Sequence, residues 1–335
     1  MPLVNWPSVE PFSGPYIDLA ETTRSGFVEC LHRGAVVALD RDGSIAFAGG
    51  DPSVAVYPRS STKPLQALAM LQAGLALPAD LLALVCASHG GTALHLDGVR
   101  RILAGAGLAE AALGNTPDLP LDSEASRDIV RSGGGRTALQ QNCSGKHAGM
   151  LATCVINGWP LDTYLDENHP LQLAITNMLP SVTEEAVIHI GIDGCGAPAH
   201  VMSLAGLARA FRNIAIGAAG HGSQQVADAM SAYPVLLGGP GRDVTELIQL
   251  VPGIVAKDGA EGVYAAALPD GRAVAIKVAD GASRARPPIM LAALRALGVD
   301  VAAVEPVVRQ PILGHGREVG EVRITDAFRA VLPPA

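Results

Sequence analysis

Lysine is nearly missing from this chain. Of its 24 basic side chains only Lys63, Lys146, Lys257 and Lys277 are lysines, so arginine supplies almost all the positive charge. A lysine kept in such a background points to something arginine does not do, such as losing a proton or ligating a metal. Long apolar runs are missing too. Although 49% of the residues are hydrophobic, much of that is alanine, and no uninterrupted stretch is long enough to span a bilayer. Basic runs, and aromatics interleaved with them, are absent, and the net charge of −8 is spread along the chain, which argues against nucleic-acid binding. The opening Met1-Pro2-Leu3-Val4-Asn5-Trp6-Pro7 lacks the basic segment and apolar core of a signal peptide, so a cytoplasmic enzyme is the expectation. Five widely spaced cysteines, Cys30, Cys86, Cys143, Cys154 and Cys195, read as reduced thiols rather than a disulfide framework.

What is present centres on Tyr57-Pro58-Arg59-Ser60-Ser61-Thr62-Lys63-Pro64, followed by the apolar run from Leu65 to Leu77. Ser60 suits a helix N-terminus, since serine caps helices and proline is tolerated in a first turn. Lys63 then lies one turn on, on the same face, within reach of the Ser60 hydroxyl. The positive end of the helix dipole and Arg59 both disfavour a charged amine there, which would let Lys63 serve as a base for a serine nucleophile. Ser-x-x-Lys is short and degenerate, and a capped surface helix with a solvated lysine accounts for it as well.

The rest of the chain reads in order. Residues 1–20 look like an irregular lead-in. Two β-rich runs then flank Asp42-Gly43, a hairpin signal. A helix from Pro78 to Ala87 runs into Ser88-His89-Gly90-Gly91, which offers a second hydroxyl or a plain helix end. Another helix covers His95 to Leu108, and 114–141 reads as a loop-rich excursion. Asn142-Cys143-Ser144-Gly145-Lys146-His147 opens a helix ending near Asn157-Gly158, with a thiol, an amine and an imidazole at one helix start, where thiol pKa values fall. A buried small hydrophobe is the other reading of Cys143. Helices over 160–182 break at Asn177–Pro180. Val187 to Ile192 reads as a short buried strand delivering Asp193-Gly194-Cys195-Gly196 into a helix from His200 to Arg212. After further helices, β-runs surround Lys257-Asp258-Gly259 and the turn Asp270-Gly271, an apolar helix covers Ser283 to Leu297, and Glu318 to Thr325 forms a last strand. No repeat or linker divides the chain. One domain over 1–335 is expected, with strand-rich ends (20–56 and 250–330) and a helix-rich middle (60–250).

A Ser-x-x-Lys, a later serine near a turn, and a late Lys-x-Gly follow the order found in penicillin-recognising serine enzymes and β-lactamases. Ser88-His89-Gly90 is not their middle motif, however. The sequence more closely resembles the rhizobial-type (class 3) L-asparaginases, the asparaginase II family. The residues carrying that resemblance are Val28-Glu29, His32-Arg33-Gly34, Arg59-Ser60-Ser61-Thr62-Lys63-Pro64, Ala87-Ser88-His89, Asn142 to His147 and Asp193-Gly194-Cys195-Gly196. It implies an α/β fold of α+β type, like that of β-lactamases and penicillin-binding proteins: a mixed sheet of N- and C-terminal strands beside a helical middle part. It implies hydrolysis of L-asparagine to aspartate and ammonia by a homodimer. Ser60 would be the nucleophile, Lys63 its base, Ser88 the second serine, and Lys257 or Lys277 the lysine serving it. Zinc would be bound by Cys143, Lys146 and Cys195, with Asp193 and His147 as polar neighbours. By charge complementarity, Arg59 would meet the substrate α-carboxylate and Asp193 its ammonium. A glutaminase or other small-amide hydrolase, a non-catalytic binder with structural zinc, and a zinc-activated water as the attacking group are the alternatives.

Overall fold

Both ends of the chain feed one antiparallel sheet. The computed structural model describes residues 14–334. The strands are β1 (Ile17–Arg24), β2 (Phe27–Leu39), β3 (Ile45–Gly49), β4 (Ala55–Val56), β5 (His189–Ile192), β6 (Pro198–Ser203), β7 (Val255–Asp258), β8 (Val263–Ala267), β9 (Ala273–Val278), β10 (Pro311–Gly314) and β11 (Arg317–Ile324). The main sheet runs β10-β11-β1-β2-β9-β8-β7, with β3 added to β2, and β4-β6-β5 form a small second sheet. The fold is thus a mixed α+β one, with N- and C-terminal strands interleaved beside a helical middle.

Local chemistry explains the hairpin. Asp42 accepts from the Ser44 backbone and hydroxyl at 2.9 and 2.6 Å, and Gly43 takes a φ of +89° that side chains rarely adopt. Every residue of β7 and β8 is buried, so both sheet faces are covered there. Helix Leu204–Ala215 packs against β2, β8 and β9, and helix Arg286–Ala296 against β1, β8, β9 and β11.

The helical part is built round helix Lys63–Gln72, whose residues from Lys63 to Leu71 are all buried. Helices Ala79–Val85, Ser144–Asn157, Pro170–Thr183 and Ser223–Ala232 surround it. A 3₁₀ turn, Arg59–Thr62, leads into it and packs against β7 and β8, at the seam between helices and sheet. That close approach needs Gly259, because a Cβ there would run into the Pro58 carbonyl.

Several expectations are corrected. Ser60 caps no helix: it lies inside the 3₁₀ turn, and the α-helix begins at Lys63 with Thr62 in the cap position. Residues 1–13 of the expected lead-in lie outside the described residues, and its last part is β1 from Ile17, paired with β2 and β11. The 114–141 excursion contains helix Ser123–Arg131, capped by Asp122. Pro180 does not break its helix, since buried Ile175, Met178, Leu179 and Val182 on the same element outweigh one lost hydrogen bond. β5 is a partly exposed edge strand, and the turn after it leads to β6 rather than to a helix, which puts strands inside the helix-rich middle.

Candidate active site

Three of the four lysines are fully buried, and they lie in one region. An amine needs partners to be buried, so the hydrogen bonds of each show what it serves.

Lys63 Nζ donates to the Ala87 carbonyl at 2.6 Å and lies 3.1 Å from Ser88 Oγ and 3.5 Å from the Asn142 carbonyl. None of these bonds reaches Ser60. Among the described residues, the half-buried Ser60 hydroxyl has no side-chain partner. The chain turns just before it, with Arg59 at a φ of +53°, a conformation that costs a non-glycine residue about 1–3 kcal/mol. The turn sends the Arg59 side chain to Asp193, Nε to Oδ1 at 2.7 Å. Burial opposes charge on Asp193, but Lys146 and Arg59 outweigh it and hold the carboxyl below its usual range.

Ser88 follows helix Ala79–Val85 and is pinned on both sides. Its N–H donates to the Leu237 carbonyl at 3.1 Å, and its carbonyl accepts from Arg242 at 2.6 Å. His89 next to it lies 2.9 Å from Ser144 Oγ and is kept neutral by burial and by its stacking neighbour His95.

Lys257, on β7, donates to the Asp258 carbonyl at 2.7 Å and to Asp258 Oδ1 at 2.6 Å. Burial pushes its amine down to about 8, with Lys63 and Arg242 adding to the drop and Asp258 opposing it. Lys277, the other candidate for serving Ser88, lies on β9 and donates to the Glu261 carbonyl. Its charged neighbours are Glu261, Asp280 and Arg59, so Lys257 is the one facing Lys63.

Beside Lys63 lies a thiol cluster. Cys143 stands at the start of helix Ser144–Asn157, Lys146 in its first turn, and Cys195 in the β5–β6 turn. Lys146 Nζ is 3.1 Å from Cys195 Sγ, Cys143 Sγ donates to Asn142 Oδ1 at 2.9 Å, and the two thiols act on each other electrostatically. That interaction favours a Cys143 thiolate and drives the Cys195 thiol upward. Burial works against a charged Lys146, but Cys195, Cys143 and Asp193 hold it charged. Among the described residues no three His, Cys, Asp or Glu side chains form a metal cluster. A metal ion whose own charge displaced the Lys146 proton would meet two sulfurs and an amine nitrogen in one buried spot, a donor set that suits a thiophilic ion such as zinc. All five cysteines are free thiols.

His147 completes the wall. Tyr164 Oη accepts from the Gly114 N–H at 3.0 Å and lies 2.8 Å from His147 Nδ1. In the tautomer where the hydroxyl donates to Nδ1, the proton sits on Nε2, a buried nitrogen with no partner among the described residues. Burial holds this imidazole neutral.

Sequence reasoning missed Asp258 as the partner of Lys257, although it lies inside the Lys-x-Gly motif. It also missed Arg242, Arg286 and Tyr164. Arg242 meets Asp258 Oδ2 at 2.5 Å, and Arg286 stands 3.5 Å from the same oxygen. A cleft of about 810 Å³ is lined by residues that include Tyr233, Leu236 and Ile248, with no lysine, cysteine or histidine among them. No helix among the described residues is long and apolar enough to cross a membrane.

Comparison with solved structures gives loose likenesses. A β-lactamase from Mycobacterium bovis is 15% identical over 79% of this chain and 94% of its own, with a TM-score of 0.41. Mglu in its native form is 16% identical over 78% of this chain and 63% of its own, with a TM-score of 0.34. EstCE1, a hydrolase with promiscuous acyltransferase activity, is 13% identical over 84% and 93%, with a TM-score of 0.39. Likenesses this loose say nothing of substrate or mechanism. No curated protein matches the chain significantly. The family model for L-asparaginase II matches residues 20–324, nearly the whole length, and the chain belongs to that family.

Proposed function

We propose that the protein is an L-asparaginase that hydrolyses the side-chain amide of L-asparagine through a serine acyl-enzyme. Family membership supports an amidohydrolase. The observation that carries the serine chemistry is the buried Lys63 amine, set among two carbonyls and the Ser88 hydroxyl, one turn beyond Ser60. A neutral amine placed there donates its two N–H groups to Ala87 and Asn142 and keeps its lone pair for a hydroxyl proton.

In the proposed reaction Ser60 Oγ attacks the amide carbon while its proton passes to Lys63. Ammonia leaves with a proton, and water then cleaves the ester to release aspartate and restore Ser60. Backbone N–H groups near Ser60 are the natural oxyanion donors. The Arg59–Asp193 pair suits an α-amino-acid zwitterion. Arg59 Nε uses only Asp193 Oδ1, while Oδ2 makes no contact nearer than 3.9 Å, to Cys195 Sγ. The guanidinium Nη groups are then available for a carboxylate and Oδ2 for an ammonium. In the tautomer that leaves its proton on Nε2, His147 is a further donor at the same wall. Cys143, Lys146 and Cys195 would hold a zinc ion, which when bound would supply positive charge beside this wall and tie the β5–β6 turn to the helix start. A homodimer in the cytoplasm is part of the same proposal.

A second reading makes Ser88 the nucleophile, because the 3.1 Å contact of Lys63 is with Ser88. Ammonia release from asparagine and glutamine, measured side by side for wild type, S60A and S88A, decides among these. The expected result is asparagine turnover lost in S60A by on the order of 10⁴-fold or more. Full activity in S60A with none in S88A would transfer the role to Ser88. Faster release from glutamine than from asparagine would remove the asparaginase assignment.

A further inference from the structure

The charges near Ser88 form one connected group, with Arg242 partly exposed and the rest buried, and apart from Lys257 the serine chemistry gives its members no role. Asp258, itself buried, is its centre. It takes Lys257 on Oδ1 at 2.6 Å and Arg242 on Oδ2 at 2.5 Å, with Arg286 at 3.5 Å from Oδ2. Arg286 also stands 3.7 Å from Asp243 and donates to the Gly259 carbonyl at 2.8 Å. Arg286 is thus anchored on the sheet side of the group.

Arg242 differs. It lies between the Gly238-Gly239-Pro240-Gly241 segment and helix Asp243–Leu250, and its fork spans two parts of the active site. Nη1 donates to the Ser88 carbonyl at 2.6 Å while Nη2 holds Asp258. The same loop accepts the Ser88 N–H through Leu237 O at 3.1 Å, so both peptide groups of Ser88 are fixed by residues 237–242. Gly239, at a φ of +124°, lies against the backbone of Gly90, bringing the two loops together. A cleft of about 340 Å³, lined by Gly90, Asp122, Gly239 and Arg242, opens on the outer side of this junction.

We propose that Arg242 is a positioning residue that locks the Ser88 loop to the strand end bearing Lys257, through its two-pronged hold on the Ser88 carbonyl and Asp258. The proposal rests on the serine–lysine reading above. A planar guanidinium with two fixed donors suits such a bridge, whereas a lysine at 242 reaches one partner at a time. Arg242 also acts on the amine electrostatically. The groups facing Lys257 are Asp258 on its own strand, Lys63 on the central helix, Arg242 across the loop, and Cys86 at the end of helix Ala79–Val85. Asp258 favours the charged amine, and Lys63 and Arg242 disfavour it. Removing Arg242 takes away a like charge and leaves Asp258 more fully to Lys257, so the amine would give up its proton at higher pH.

The test uses the full chain as wild type, R242K, R242Q, S60A and S88A, measuring ammonia release from L-asparagine across about pH 6 to 10, with thermal unfolding alongside. R242Q should lose about 10²-fold in kcat with little change in KM, the cost of a misplaced catalytic group. The rising limb of its pH–rate profile should move to higher pH. R242K keeps the charge, so its limb should stay in place while kcat falls less, by about tenfold. If R242Q does not fold, the R242K loss in kcat at unchanged KM carries the test. Wild-type kcat and limb position in the Arg242 variants, beside inactive serine variants, would overturn the role of Arg242 alone. A loss that merely follows the unfolded fraction, with the limb unmoved, would overturn it too. Wild-type turnover in both S60A and S88A would instead bring down the serine reading, and this role with it.

Discussion

Replacing Lys257 by arginine keeps a cation beside Asp258 but removes the ability to lose a proton, so it separates charge from base chemistry. The Lys257 amine is fully buried, and that burial lowers it from 10.5 to about 8. A drop of that size corresponds to about 3 kcal/mol. It leaves about a tenth of the amines neutral at pH 7, where an unshifted lysine would have about one in three thousand. If Lys257 serves Ser88 as a base, kcat/KM for asparagine should rise with pH and level off above about 8. K257R should lose about 10²–10⁴-fold in kcat, with no recovery at higher pH.

The same shift predicts a stability signature. The folded value lies below the unfolded one, so between about 8 and 10.5 the unfolded chain binds more protons at this site and the Lys257 contribution to stability rises with pH. The Lys257 share of that rise is about 1 kcal/mol between pH 8 and 9, read from urea unfolding, and K257R should lack it. Over this interval Cys86 and Cys154, pushed up by burial to about 12 and about 11, and Cys195, also pushed up, slope the other way, so the Lys257 share is read as the difference between wild type and K257R. Full turnover by K257R, or a rising limb identical to that of wild type, would refute the assignment of Lys257 as a base.

Three further outcomes follow from the site. D193N removes the partner of Arg59 and the proposed ammonium acceptor, so KM for asparagine should rise by the equivalent of about 1.5–3 kcal/mol while kcat changes little; an unchanged KM would take Asp193 out of substrate binding. S88A should fall by about 10²–10⁴-fold in kcat, and its loss should not add to that of K257R if the two act as one unit. C195S removes one of two sulfurs, so zinc measured by native mass spectrometry should drop from about one ion per chain to well below that, with a lower Tm; equal zinc content in C195S and wild type would dismiss the Cys143–Lys146–Cys195 site.

What could be read ahead of the structure follows from how local each signal is. The Asp42-Gly43 hairpin was legible because Asp42, Gly43 and Ser44 make the turn among themselves. β1 was not, because its partners include β11, some three hundred residues away, and nothing within Ile17–Arg24 specifies that pairing. β5 read as buried from its isoleucines, yet it is an edge strand on the small sheet, where exposure depends on what else packs there. Ser60 read as a helix cap from its residue type, but the positive φ at Arg59 tightens the turn and moves the helix start to Lys63.

The site divides along the same line. Lys63, Lys146 and Lys257 stood out because lysine is rare here and arginine does the generic work, and all three prove to be buried together. Rarity singled out residues without showing their partners: the amine at 63 meets Ser88 rather than Ser60, and the one at 257 meets its own neighbour Asp258. Arg242 had no such signal. It is one of many arginines, in a loop whose glycines and proline suggest only a turn, and its bond to Ser88 joins residues 154 positions apart. The composition that made the lysines conspicuous therefore hid the arginine that bonds both the Ser88 carbonyl and Asp258. A search for more such residues should begin with the buried arginine Arg286, which shares Asp258 with Arg242.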